Sequence, residues 1–109
     1  MPKHITPREA VEKLKLNQKV LLLDVRTPQE FEAAHIKNAI LLPLQNLSQE
    51  SLEAQGLGNS ARDKEIIIYC RTGSRSLAAY SFLLQLGYMH IKNLIGGIVS
   101  WTDEEFIVR

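Results

Sequence analysis

Cys70 is the single cysteine of this 109-residue chain, and it opens the run Cys70-Arg71-Thr72-Gly73-Ser74-Arg75-Ser76. A thiol attacks as its thiolate, so nucleophilic chemistry here asks for positive charge close to the sulfur. Successive N–H groups of a tight loop, together with the start of a helix, supply partial positive charge. Gly73 lets the backbone turn inward, Arg75 adds a full charge at the far rim, and Ser76 brings a hydroxyl to the sulfur. Arg71, Thr72 and Ser74 complete a cradle too small for a large bound group. A lone cysteine at a strand end is often just a small buried hydrophobe. The glycine and two arginines that follow this one point instead to a nucleophile, Cys70, whose anion is held by its own loop.

Such a loop must hang from rigid elements. Ile66, Ile67, Ile68 and Tyr69 form a short apolar run that reads as a buried strand, and Ser74 to Leu86 read as a helix closed by Gly87. Cys70 therefore stands at the carboxyl end of a strand, where open α/β sheets bind ligands. Thr6-Pro7-Arg8-Glu9 opens a first helix, and Asn17-Gln18-Lys19 breaks it. Val20–Leu23 reads as a strand apolar on both faces, and Thr27-Pro28-Gln29-Glu30 as a second helix start with a capping box. Ala39–Leu42 reads as a strand stopped by Pro43, Ser48 to Ala54 as a short helix, and Ile91–Ile95 as the last strand. Gly96-Gly97 then turns into a short helix around Trp101. Strands alternating with helices predict a three-layer α/β/α fold with a mainly parallel sheet of about five strands, in a single domain over 1–109.

Composition narrows the function classes. A hydrophobic fraction of 45%, a charged fraction of 23% and a net charge of +1 are ordinary for a globular protein and give no sign of a nucleic-acid partner. One cysteine cannot form an internal disulfide. Residues 1–10 lack the apolar core of a signal peptide, and the longest apolar runs are too short to span a bilayer. A cytoplasmic, reducing setting without a membrane segment is the expectation. His4, His35 and His90 are scattered, so neither a metal nor a cofactor is called for.

Other residues read as support. Asp24, at a strand end, reads as a structural brace, ion-paired with Arg75 to shape the loop, because a carboxylate beside a thiolate would oppose its ionisation. Arg26 and Glu30 read as a local pair at a helix start. His35 reads as a turn-stabilising hydrogen bonder, Gly96-Gly97 as a tight backbone approach behind the cysteine loop, and Trp101 and Phe106 as core or docking aromatics. Glu12, Lys13 and Lys15 read as a solvated face. The tail from Asp103 to Arg109 packs on the domain or meets a partner.

Spacing separates the loop from a phosphatase loop. Protein tyrosine phosphatases carry cysteine, five residues, then arginine; here four residues lie between Cys70 and Arg75, and Ser76 stands where that arginine would be. The smaller cradle favours one extra sulfur atom over a phosphoryl group. Cys70-Arg71-Thr72-Gly73-Ser74-Arg75-Ser76 resembles the active-site loop of the rhodanese family of sulfurtransferases. Asp24-Val25-Arg26 with Glu30-Phe31, then Ala34-His35-Ile36-Lys37-Asn38-Ala39 with Pro43, then Leu94-Ile95-Gly96-Gly97 with Trp101, resemble its other motifs. Ala34 and Asn38 stand where the pattern has glycine. The resemblance implies a two-step transfer: Cys70 thiolate takes a sulfur from a small anionic donor such as thiosulfate, and an acceptor thiol or cyanide removes it. Arg71 and Arg75 would draw the donor in and bind the departing sulfite. The partners implied are that small donor and a protein or small-thiol acceptor, which reaches an open site. The alternatives are a non-catalytic interaction module of the same fold, or a small phosphatase or arsenate reductase.

Overall fold

The computed structural model describes residues 2–17 and 19–109, so Met1 and the helix-breaking Gln18 lie outside the described residues. The chain enters through β1 (His4–Ile5) and turns at Thr6 into α1 (Pro7–Leu16). The Thr6 hydroxyl accepts from the Glu9 amide, and Glu9 accepts in return from the Thr6 amide at 2.9 Å. After β2 (Leu21–Asp24), Thr27 and Glu30 cap α2 (Pro28–Ala33) in the same reciprocal way. β3 (His35–Ile36), β4 (Ile40–Leu41), α3 (Gln49–Ala54), β5 (Glu65–Tyr69), α4 (Ser74–Gln85), β6 (His90–Leu94) and β7 (Ile107–Val108) follow in chain order.

The sheet runs β1-β6-β5-β2-β4, and every neighbouring pair in it is parallel. Both faces are covered. Leu23, Ile66 and Ile68 pack with Leu52 of α3 and with Ala79 and Leu83 of α4. Leu22, Ile67 and Tyr69 pack on the other face with Ala10 of α1 and with Trp101. This is the three-layer α/β/α arrangement expected from the alternation of strands and helices. Successive strand residues point to opposite faces. That parity sends Cys70, two positions after Ile68, to the α4 side, and Cys70 joins the same buried cluster as Ile66 and Ile68.

Three strands were not predicted. β1, β3 and β7 have two residues each, too few to show a period. The strand predicted to be last, Ile91–Ile95, is followed by β7, which pairs antiparallel with β3. The tail therefore packs on the domain, and the Phe106 carbonyl accepts from the Lys37 amide at 2.6 Å. Lys13, predicted to be solvated, instead pairs with Glu65 at 2.7 Å.

At the carboxyl edge of the sheet, two predicted pairings change partners. From sequence, Asp24 pairs with Arg75, and Arg26 with Glu30. In the structure Asp24 pairs with Arg26, and Glu30 with Arg75. Residues two apart on an extended segment point the same way, so Asp24 and Arg26 meet locally. The Arg26 Nη2 donates to Asp24 Oδ2 at 2.7 Å, its Nε donates to Oδ1 at 3.0 Å, and its main-chain amide donates to Oδ1 at 2.9 Å. Nη2 also donates to the Ala34 carbonyl at 2.7 Å, and the guanidinium lies over the Tyr69 ring, 5.6 Å from its centre. Both charges are almost wholly buried. The pair ties the exit of β2 to the end of α2 and to β5.

Removing one partner of such a pair leaves an uncompensated buried charge, a loss of about 3–5 kcal/mol. Asp24→Asn is expected to lower the urea-unfolding free energy by that order. The folded fraction is expected to keep the wild-type alkylation rate of Cys70, measured in the same samples.

Candidate functional site

β5 ends at Tyr69 and α4 begins at Ser74, and the short connection wraps round one atom. Gly73 takes φ +113°, a left-handed conformation that glycine adopts without strain. Its N–H donates to Cys70 Sγ at 3.0 Å. Ser76 Oγ lies 3.4 Å from Sγ and 3.1 Å from the Gly73 carbonyl. The hydroxyl has one proton for two acceptors. With a protonated thiol it serves the carbonyl; with a thiolate it can turn to the sulfur. Burial pushes the Cys70 thiol up, and the Ser76 hydroxyl with the Ser76, Gly73 and Thr72 amides more than offsets this, so the thiol sits below its ordinary value of 9.0.

The loop is held from behind. Ile98 N–H donates to the Cys70 carbonyl at 2.9 Å, and Val99 N–H to the Arg71 carbonyl at 3.1 Å. In a trans peptide the C=O and the following N–H point in opposite directions. Fixing the Arg71 carbonyl outward thus turns the Thr72 amide inward. The approach needs glycine at 97: φ is +62°, and a Cβ there would lie 2.4 Å from the Arg71 oxygen. Gly96-Gly97 thus makes the close approach its sequence suggested.

The front of the loop is braced across 45 residues of chain. Glu30 Oε1 and Oε2 accept from Arg75 Nη1 and Nη2 at 2.7 and 2.8 Å. The same Oε1 accepts from the Thr27 amide at 3.0 Å. The bond from Arg75, with the Thr27 contacts, lowers the Glu30 carboxyl from 4.5 to about 2. From sequence Glu30 is a helix cap and a local partner of Arg26, and nothing local in the sequence signals its pairing with Arg75.

The predicted site residues separate into groups. Cys70, Gly73 and Ser76 come together in the buried cradle, while Arg71, Thr72 and Ser74 have exposed side chains on its rim. Arg75 is engaged by Glu30, and among the described residues Arg71 forms no ion pair. Asp24 and Arg26 hold the sheet edge beside Tyr69 rather than the loop. Cys70 itself is 1% exposed, seated within its own loop. His35 Nδ1 lies 2.8 Å from the Phe31 carbonyl, and its ring stacks on Phe31 at 3.7 Å, a structural use. Among the described residues, no group of three or more His, Cys, Asp and Glu is placed to hold a metal.

The geometry can be set beside known proteins. The family model described as rhodanese-like domain matches residues 6–104. A sulfurtransferase of Allochromatium vinosum is 35% identical over 102 residues, covering 94% of this chain and 90% of that protein. A probable adenylyltransferase/sulfurtransferase, MoeZ, of Mycobacterium tuberculosis is also 35% identical, but this chain spans only 24% of its length. A crystal structure of a rhodanese-related protein from Thermoplasma volcanium superposes with a TM-score of 0.76 at 34% identity, covering 97% of both chains.

Two measurements test the electrostatics. Thiol alkylation against pH should show a midpoint below 9.0 in the wild type, and Ser76→Ala should move it upward. The Glu30 carboxylate is stabilised when charged, so its contribution is complete above its ordinary 4.5 and is lost as pH falls through about 2. The stability difference between wild type and Glu30→Gln, read by urea titration, should therefore shrink across that window.

Proposed function

Since the chain belongs to the rhodanese-like domain family, we propose that it is a sulfurtransferase whose sulfur carrier is Cys70. The observation that carries this reading is the sulfur seated inside its own loop, with the Gly73 N–H at 3.0 Å and the Ser76 hydroxyl at 3.4 Å. The short spacing from Cys70 to Arg75 makes a small cradle, which favours one added sulfur atom over a phosphoryl group.

Cys70 thiolate attacks the outer sulfur of a small anionic donor such as thiosulfate. The sulfur–sulfur bond of the donor breaks, sulfite leaves with the bonding pair, and Cys70 becomes a persulfide. Preorganised amides serve the negative charge on either sulfur without reorganising as it moves, which lowers the barrier in both directions. Arg71, exposed on the rim, is the charge placed to draw an anion in. Arg75 acts mainly as a brace, since Glu30 holds both of its terminal nitrogens. In the second half-reaction a thiol or cyanide attacks the outer sulfur and returns Cys70 to the thiolate.

Intact mass after thiosulfate treatment is expected to show a gain of one sulfur atom that cyanide removes and that Cys70→Ser does not acquire. No adduct, with the fold intact, would support a non-catalytic interaction module instead. Faster turnover of an aryl phosphate than of thiosulfate would support a phosphatase. Arg71→Ala is expected to raise the KM for thiosulfate several-fold while leaving an uncharged persulfide donor nearly unaffected; equal effects would remove its recruiting role.

A further inference from the structure

One flank of the loop has features that sulfur transfer from an inorganic anion does not use. Between β1, β6 and the first turns of α4 lies a trough of about 490 Å³, within the range of small-molecule sites. Thr72, Gly73, Ser74 and Gly96 form its loop side, Leu77 and Ile95 its apolar walls, and Asn93 and His4 its polar wall. No Lys, Arg, Asp or Glu lines it. Leu77 and Ile95 are 37% and 46% exposed, large apolar surfaces left to solvent beside the reacting loop. Asn93 is only 3% exposed, and its Oδ1 is buried without a hydrogen-bond partner. Its Nδ2 lies 3.5 Å from His4 Nδ1. Gly73 belongs to both places: its amide holds Sγ, and its residue forms part of the trough wall.

The cradle admits one atom, so the body of any organic co-substrate must lie outside it. An anion finds no Lys or Arg partner among the described lining residues, whereas a neutral body buries against Leu77 and Ile95. We propose that this trough seats the body of a neutral organic acceptor thiol beside the reacting loop. The proposal rests on the persulfide reading of Cys70. In the step it serves, the acceptor thiol loses its proton to solvent and its sulfur attacks the outer sulfur of the Cys70 persulfide. A new sulfur–sulfur bond forms, the old one breaks, and its electron pair returns to Cys70 as the thiolate. The acceptor leaves as a persulfide, and no external oxidant or reductant is needed.

The test uses wild-type protein loaded with sulfur and verified by intact mass before any acceptor is added. Absence of the loaded form at that stage would overturn the persulfide reading, and with it this proposal. The acceptors are N-acetylcysteamine, neutral with an amide, and 2-mercaptoethanesulfonate, similar in length but anionic, with rates expressed per thiolate. The neutral thiol is expected to discharge the persulfide roughly tenfold faster, the discrimination that burying a few methylene-sized groups supports. Arg71 would favour the anion, so this preference has to come from the trough. The variant Leu77→Gln/Ile95→Thr changes two exposed positions and should bring the two rates together while cyanide discharges it at the wild-type rate. Equal rates in the wild type, an undiminished preference in the variant, or an equal slowing with cyanide would each overturn the proposal.

Discussion

The contact between the Gly73 N–H and Cys70 Sγ sets the requirement that the surrounding structure meets. A sulfur that is 1% exposed cannot rely on water to carry its charge. Burial alone drives a thiol toward its neutral form, and here hydrogen bonds to the anion outweigh that effect. The donors are mostly main chain, so their aim depends on backbone geometry more than on side-chain choice. Gly73 supplies the left-handed turn, and Gly97 lets residues 98 and 99 hold the outward carbonyls. Strand parity brings the sulfur to the α4 face in the first place.

Two ion pairs brace this arrangement, and they differ in kind. Asp24–Arg26 is buried, bidentate and local, so breaking it costs stability far more than making it supplies stability. Glu30–Arg75 is partly exposed and bidentate, and it links the first turns of two helices. Its energy is screened by solvent, and its geometric effect is larger: it fixes the loop's last arginine away from any free anion-binding role. In the proposed transfer, positive charge for a donor then rests on Arg71. Among the described residues, no Lys, Arg, Asp or Glu lines the trough beside the same loop.

Much of this was legible in the sequence because it is local. The apolar run 66–69 marks a buried strand with Cys70 at its carboxyl end, as the structure places it. Thr6 and Thr27, each followed by proline and then by glutamate three residues on, mark helix starts that form as capping boxes. Ala34 and Asn38, which replace glycines of the family pattern, show two outcomes. Ala34 has extended backbone at φ −169°, which any residue adopts, whereas Asn38 takes φ +68°, which asparagine tolerates better than most. The exchanged salt-bridge partners were not legible. Charge type says which residues can pair, but only the fold says which helix ends meet, and Glu30 already had a sufficient local explanation as a cap. The two-residue strands failed for a related reason, since their evidence lies in partners far along the chain.

The most direct test replaces the Gly73 amide N–H with an ester oxygen by semisynthesis. This deletes one hydrogen-bond donor and keeps the side chain, the turn and the overall charge. Ultraviolet titration of the Cys70 thiolate should then give a midpoint clearly higher than in the all-amide protein, with slower sulfur uptake at neutral pH. An unchanged midpoint in a correctly folded ester protein would contradict the account, because the sulfur's charge would then be held by something other than its loop.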